Sequence, residues 1–131
     1  MQLEKLVSKY ELSDRICKAI GPEELSLMGP TCVCWIYKAN KPEESPRLDL
    51  HENIKPNENF LHAFTSDELV DVMKGPIDAR LVITLHKRNS KWMAQAVWQK
   101  LSKKQPTIIA VGDSVVEALG ELTLAVMARF K

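Results

Sequence analysis

The chain has 131 residues, with 18 Lys and Arg against 17 Asp and Glu and a formal net charge of +1. This length favours one domain with its own core, and 45% apolar with 27% charged residues is ordinary for a globular protein. No apolar run approaches the roughly 20 residues that a membrane span needs. Charges at Glu4 and Lys5 argue against a secretory leader, so we expect a cytoplasmic protein without a membrane partner.

The first 30 residues predict helices. Apolar residues recur there at helical spacing at Leu3, Leu6, Val7 and Tyr10. Gly21 followed by Pro22 is typical of a helix end.

Residues 31–37 are rich in β formers and apolar on both faces, which indicates a strand covered on both sides or placed beside a partner. We expect this strand to join the main sheet or to lie at a dimer seam. The residues predicted to take part in self-association are Trp35 and Tyr37 on this strand, with Leu124 on the last helix.

Residues 38–60 are polar and interrupted by prolines, which predicts a long surface loop with one short edge strand at Arg47 to His51. After this segment, Thr65 and Glu68 form an S/T-x-x-E capping box that starts a helix. Phe64 and Leu69 are placed as its hydrophobic staple.

Alternating apolar residues then predict a hairpin of two strands over residues 80–98, with a polar turn at 87–91. A third strand follows at 107–111, and Ser114 with Glu117 gives a second capping box at the last helix. The residues expected in the core are Leu81, Ile83, Leu85, Trp92, Ala94, Leu119, Leu122 and Val126.

These elements predict an α+β fold with an antiparallel sheet of three or four strands and helices mainly on one face. We expect residues 1–131 to form a single domain. Its parts are the N-terminal helices and strand (1–37), the polar loop (38–60) and an αβββα unit (61–131).

The charge is unevenly distributed. Residues 79–112 hold seven Lys or Arg and no acid, whereas the remainder holds eleven bases and all seventeen acids. Lysines at a sheet edge that prevent aggregation explain part of this asymmetry, and binding to nucleic acid or to an acidic protein surface are the functional alternatives. The candidate binding residues are Arg80, Lys87, Arg88, Lys91, Trp98, Lys103 and Lys104.

The sequence offers no recognisable catalytic or metal site. It holds no Gly-rich phosphate loop, G-x-S-x-G or H-E-x-x-H motif. Cys17, Cys32 and Cys34 lack histidines at zinc spacing, so we expect reduced thiols and no metal. Asp67 and Glu68 are explained as acids of a first helical turn. We therefore expect neither catalytic residues nor a cofactor.

The order helix, three strands, helix from Thr65 onward resembles the double-stranded-RNA-binding domain and HicB-type antitoxins. The segment from Val111 to Leu119 resembles the "G-D-[ST]-x-x-E-A-L" signature of HicB-like proteins. Most of the chain also resembles small uncharacterised phage and prophage proteins in layout. RNA-binding domains of this order begin the last helix with a basic run, whereas Asp113 and Glu117 stand here, so standard duplex-RNA recognition is not expected.

The resulting hypothesis is a non-catalytic, phage-type accessory protein that acts by binding a protein partner, with self-association as a further expectation. The first alternative is a nucleic-acid-binding protein that uses the basic hairpin at residues 80–104. The second alternative is an enzyme of unknown class.

Overall fold

The computed structural model describes residues 5–74, 81–98 and 107–130, and the side chains of Trp98 and Phe130 lie outside this description. Within these residues the chain forms four α-helices and two antiparallel sheets of three strands, so the predicted α+β class is confirmed. The elements are α1 (Tyr10–Ile20), α2 (Pro22–Met28), β1 (Val33–Tyr37), β2 (Arg47–Leu50), a short 3₁₀ turn (His51–Asn53), β3 (Asn59–His62), α3 (Ser66–Lys74), β4 (Leu81–Arg88), β5 (Lys91–Trp98), β6 (Ile108–Gly112) and α4 (Val115–Phe130).

The first sheet corrects two expectations. Its strand order is β2-β1-β3, so the strand predicted at residues 31–37 does not join the hairpin sheet but forms the centre of a second one. Both of its neighbours come wholly or partly from residues 38–60, which were predicted as a polar loop with one edge strand. Trp35 pairs with Leu48 on one side and Leu61 on the other. Because β1 is apolar on both faces, a central position suits it.

An ion pair connects the start of β2 to the residue before β3. The Arg47 guanidinium donates hydrogen bonds to both carboxylate oxygens of Glu58, one of them at 3.0 Å, and the Lys55 amide donates another at 3.0 Å. These hydrogen bonds, with that from Arg47 the largest influence, lower the pKa of Glu58 from 4.5 to about 2. The charged carboxylate is therefore favoured in the folded state.

We expect this pair to make stability depend on acid pH. A folded-state pKa below the unfolded value stabilises the protein above the unfolded pKa, and the contribution disappears as pH falls from about 4.5 to about 2. Urea unfolding measured across this window should show a steeper loss of stability in the wild-type protein than in Glu58→Gln, which cannot titrate. Equal slopes for the two proteins would contradict the pairing.

The second sheet has the order β4-β5-β6 and includes the predicted hairpin. Asn89 and Ser90 at its turn both have positive φ angles, 51° and 67°. Two positive φ angles in a two-residue loop match the right-handed twist of the flanking strands. The third predicted strand is present as β6, which pairs with β5 from Ala96↔Ile108 to Trp92↔Gly112.

Helices α3 and α4 lie together, and α4 packs against β5 and β6. Leu81, Ala94, Leu119, Leu122 and Val126 are buried in the core as predicted. Two other predicted core residues, Ile83 and Trp92, are half-buried against it. Leu85 is 38% exposed and does not belong to the core, since the hairpin is exposed continuously from residue 84 to its turn.

Helix α1 connects the two sheets, because it contacts β3 of the first sheet and also α4, which packs against the second sheet. The helix begins only at Tyr10, whereas the spacing of apolar residues predicted a helix from residue 3 onward. Leu3 itself lies outside the described residues. Val7 forms a β-bridge with Thr65, and the Ser8 amide donates to the Phe64 carbonyl at 2.8 Å. Because Val7 and Ser8 pair with residues 64–65 in an extended conformation, the helix cannot begin earlier. No helix within the described ranges is both long and apolar enough to cross a bilayer.

Candidate binding surfaces

The structure places three of the predicted basic residues together at the tip of the β4–β5 hairpin. Lys87, Arg88 and Lys91 are exposed there, and the Lys87 ammonium lies 6.0 Å from the centre of the Trp92 ring. Arg88 lies directly opposite Lys91 in the strand register. Like charges in this position destabilise a hairpin, so an anionic group would be favourable there. Asp113 supplies one carboxylate, 3.8 Å from Lys91.

The other predicted binding residues cannot be assigned to this surface. Arg80, Lys103 and Lys104 lie outside the described residues, and of Trp98 only the backbone, at the end of β5, is described.

The residues predicted for self-association all have partners within the chain. The Trp35 indole Nε1 donates to the Ser8 carbonyl at 2.8 Å, and the Tyr10 ring contacts both Trp35 and Tyr37 edge-to-face at 6.2 and 6.1 Å between ring centres. Leu124 is half-buried and packs against the core. These contacts account for the three side chains within the fold.

A surface that the sequence did not reveal lies along β6. Among the described residues this strand pairs with β5 alone, so its other side is a sheet edge. Ile109 is 53% and Val111 49% exposed, although both are apolar. They line a cleft of about 850 Å³ that lies between β6, α1 and α4. We call this cleft with the free side of β6 the edge cleft.

Ion pairs connect α1 and its preceding residue to α4 along the edge cleft. The Lys9 ammonium is 2.7 Å from the Glu117 carboxylate, and the Arg15 guanidinium is 2.7 Å from Glu121. The hydrogen bond to Glu117 raises the pKa of Lys9 above its ordinary value. These side chains thus satisfy one another and leave the apolar strand as the distinctive feature of the cleft.

A second unexpected surface lies among the helices. A groove of about 650 Å³ runs between α2 and α3, with Ile20 of α1 and Met127 of α4 also in its lining. Leu27 is 87% exposed on its α2 side. The charged residues among the described lining of the groove are all acidic, namely Glu24, Glu68 and Asp71. We call this surface the acidic groove.

Two of the three cysteines are buried thiols. Burial raises the pKa of Cys17 to about 11, and desolvation also raises the pKa of Cys34, so both thiols are protonated at neutral pH. Cys32 is exposed and free. No group of three His, Cys, Asp or Glu side chains suited to a metal ion occurs within the described ranges.

The acids on α3 have structural roles that the sequence predicted. Glu68 accepts a hydrogen bond from the Thr65 amide at 3.0 Å, and its own amide donates to the Thr65 hydroxyl at 3.3 Å, which confirms the capping box. Asp67 lies exposed in the same first turn, where a carboxylate favours the positive end of the helix dipole.

Comparisons with protein-family models, with curated proteins and with solved structures find no match to this chain.

Proposed function

We propose that the protein is a non-catalytic binding protein that takes up an extended segment of a protein partner at the edge cleft. The segment would pair with the free side of β6 and continue the sheet, a mode of recognition in which backbone hydrogen bonds provide affinity and alternate side chains provide specificity. A phage or prophage origin stays a prediction that rests on the layout of the sequence.

The observation that carries this proposal is the composition of β6. Edge strands of natural proteins are usually protected by charged side chains, prolines or bulges, because their unpaired backbone groups attract other strands. Among the other edge strands in the described residues, β2 and β4 follow this rule with the exposed cations Arg47 and Lys87, whereas β3 has polar residues at its two ends, Asn59 and the buried His62. Strand β6 consists only of Ile, Ala, Val and Gly.

The alternation along β6 defines the chemistry of the partner. Ile109 and Val111 lie on the exposed face of the sheet, while Ala110 between them is buried. An added strand would therefore place apolar side chains beside Ile109 and Val111 and small ones beside Ala110. We expect an extended segment of about five residues with apolar side chains at alternate positions.

We expect Val111→Lys to weaken partner binding by at least about tenfold, because a lysine on an edge strand opposes the addition of another strand. Val82→Lys is the matched control: Val82 is also an exposed valine on an edge strand, but it lies on β4. Proteins captured from a lysate of the source cells would be identified, purified and titrated by calorimetry against both variants. Hydrogen exchange of the β6 amides should slow in the complex.

Three results would overturn the proposal. The first is a captured partner that binds Val111→Lys as well as wild type and leaves the β6 amides unprotected. The second is a concentration-dependent dimer abolished by Val111→Lys, since a second copy of the chain would then occupy the cleft. The third is turnover of a defined substrate that a single polar substitution removes.

Nucleic-acid binding is the second candidate, and the opposed Arg88 and Lys91 at the hairpin tip favour it. In the same capture experiment it would appear as bound RNA or DNA instead of a protein. Such binding would weaken steeply with salt, because phosphate contacts release counterions.

A further inference from the structure

The acidic groove is a second exposed apolar surface, separate from the edge cleft. Leu27 and Met28 both expose their side chains on α2, a helix with no buried residue. Glycines with positive φ angles, 92° at Gly21 and 76° at Gly29, flank α2 and fix where it starts and ends. Adjacent exposed apolar side chains at the mouth of a groove indicate an interaction site more than scattered ones do.

The two helices contribute the same pattern to the groove. Glu24, Leu27 and Met28 on α2 are spaced i, i+3, i+4, so they lie on one helix face. On α3 the residues with this spacing are Glu68, Asp71 and Val72. Each wall therefore combines carboxylate and apolar groups, and Ile20 and Met127 add further apolar surface.

The charge of the groove defines its occupant. In the part of the chain that the structure describes, no Lys or Arg lines the groove, and Glu24, Glu68 and Asp71 form no ion pair. Some carboxylates elsewhere do have such partners, among them Glu58, Glu117 and Glu121. Like charges around an apolar floor repel one another and favour a cationic partner.

From this complementarity we propose that the acidic groove binds an amphipathic helical segment of a protein partner, with bulky apolar residues on one face and Lys or Arg on its flanks. Grooves between helices take such segments through anchors at i, i+3 or i+4, and i+7. The volume of about 650 Å³ is suited to a few anchoring side chains. Met28 and Met127 can adapt to the shape of these anchors, since methionine is unbranched and flexible.

Selection from a random peptide library tests this proposal, because it requires no purified partner. Displayed peptides of about 16 residues, or roughly four helical turns, would be selected on the full chain at about 50 mM salt, where charge attraction is weakly screened. Parallel selections would use Leu27→Gln, which removes an apolar side chain without changing the charge of the groove, and, as matched control, Leu50→Gln, which alters an exposed leucine on β2. Leu27 is 87% exposed, so its substitution leaves the core intact.

We expect peptides that are enriched on wild type and on Leu50→Gln but not on Leu27→Gln. Their sequences should show apolar residues at helical spacing and an excess of Lys and Arg. A synthetic copy of one such peptide should bind Asp71→Lys at least about tenfold more weakly than wild type, and its affinity should fall with added salt. The same peptide with every Lys and Arg changed to Glu should lose at least about tenfold in affinity.

The proposal is overturned if no peptide is enriched, if enriched peptides bind Leu27→Gln as strongly as wild type, or if they are neutral or acidic. It is also overturned if the selected sequences alternate with period two, since they would then be strands. Because Val111→Lys leaves the acidic groove unchanged, it should bind the selected peptides like wild type, so this surface can fail or succeed independently of the edge cleft.

Discussion

Leu119→Ala is expected to lower the free energy of unfolding by about 2–5 kcal/mol, the range for removing a large side chain from a packed core. Leu119 is 1% exposed and belongs to the core cluster of α4, α3 and the hairpin sheet. The shortened side chain would leave a cavity within that cluster. Urea unfolding monitored by circular dichroism measures the change.

Leu27→Ala is the matched control for this experiment, because it removes the same atoms from a side chain that solvent already reaches. We expect a change within about 0.5 kcal/mol for this control. If Leu119→Ala were as mild as Leu27→Ala, the buried face of α4 would be assigned wrongly.

The elements that the sequence predicted well are those whose signals are local. The Thr65–Glu68 capping box depends on residues three apart and occurs as expected. The second box is only half formed. The Glu117 amide donates to the Ser114 hydroxyl at 3.2 Å, as expected. The Glu117 carboxylate, however, accepts a hydrogen bond from the Asp113 amide and forms an ion pair with Lys9. A distant residue thus redirects a carboxylate, and no local pattern contains that information.

The sequence predicted strands at β1 and β2 but neither β3 nor the pairing of the three strands into a separate sheet, because that pairing is long-range and β3 is short. Strands β2 and β3 have four residues each; β2 alternates polar and apolar residues and was predicted as an edge strand, whereas β3 shows no alternation. Their strand character comes from pairing with β1, where Cys34 lies between Asp49 and His62. Tertiary context decides such short segments more than intrinsic propensity does.

The candidate surfaces were harder to predict than the fold. The basic hairpin could be found from composition, since charge is visible residue by residue. The edge cleft could not, because an apolar strand is expected in a core and only the strand order shows that β6 is an edge. The acidic groove combines residues of α1 and α2 with residues of α3 and α4, which lie far from them in the sequence, so only the folded chain brings Leu27 close to Asp71 and Met127.

A buried hydrogen-bond network around Ser8 also has no sequence signal. Through Ser13 it connects α1 to Phe64 and to Trp35 of β1. Ser8 is fully buried; its hydroxyl accepts from the Phe64 amide at 3.0 Å and lies 2.6 Å from the Ser13 hydroxyl. Its carbonyl accepts from the Trp35 indole at 2.8 Å. Buried polar groups must be paired, and a lost partner leaves a group without compensation for its desolvation.

Ser8→Ala is therefore expected to destabilise the protein by about 1–3 kcal/mol, because the Phe64 amide would stay buried without the acceptor it has now. Ser13→Ala should be milder, since the Ser8 hydroxyl would still accept from Phe64. Ser26→Ala, an exposed serine on α2, should change stability by less than about 0.5 kcal/mol. Urea unfolding of the three variants measures these changes in stability. If Ser13→Ala destabilised the protein more than Ser8→Ala, the Phe64 amide would not be the group that makes Ser8 necessary.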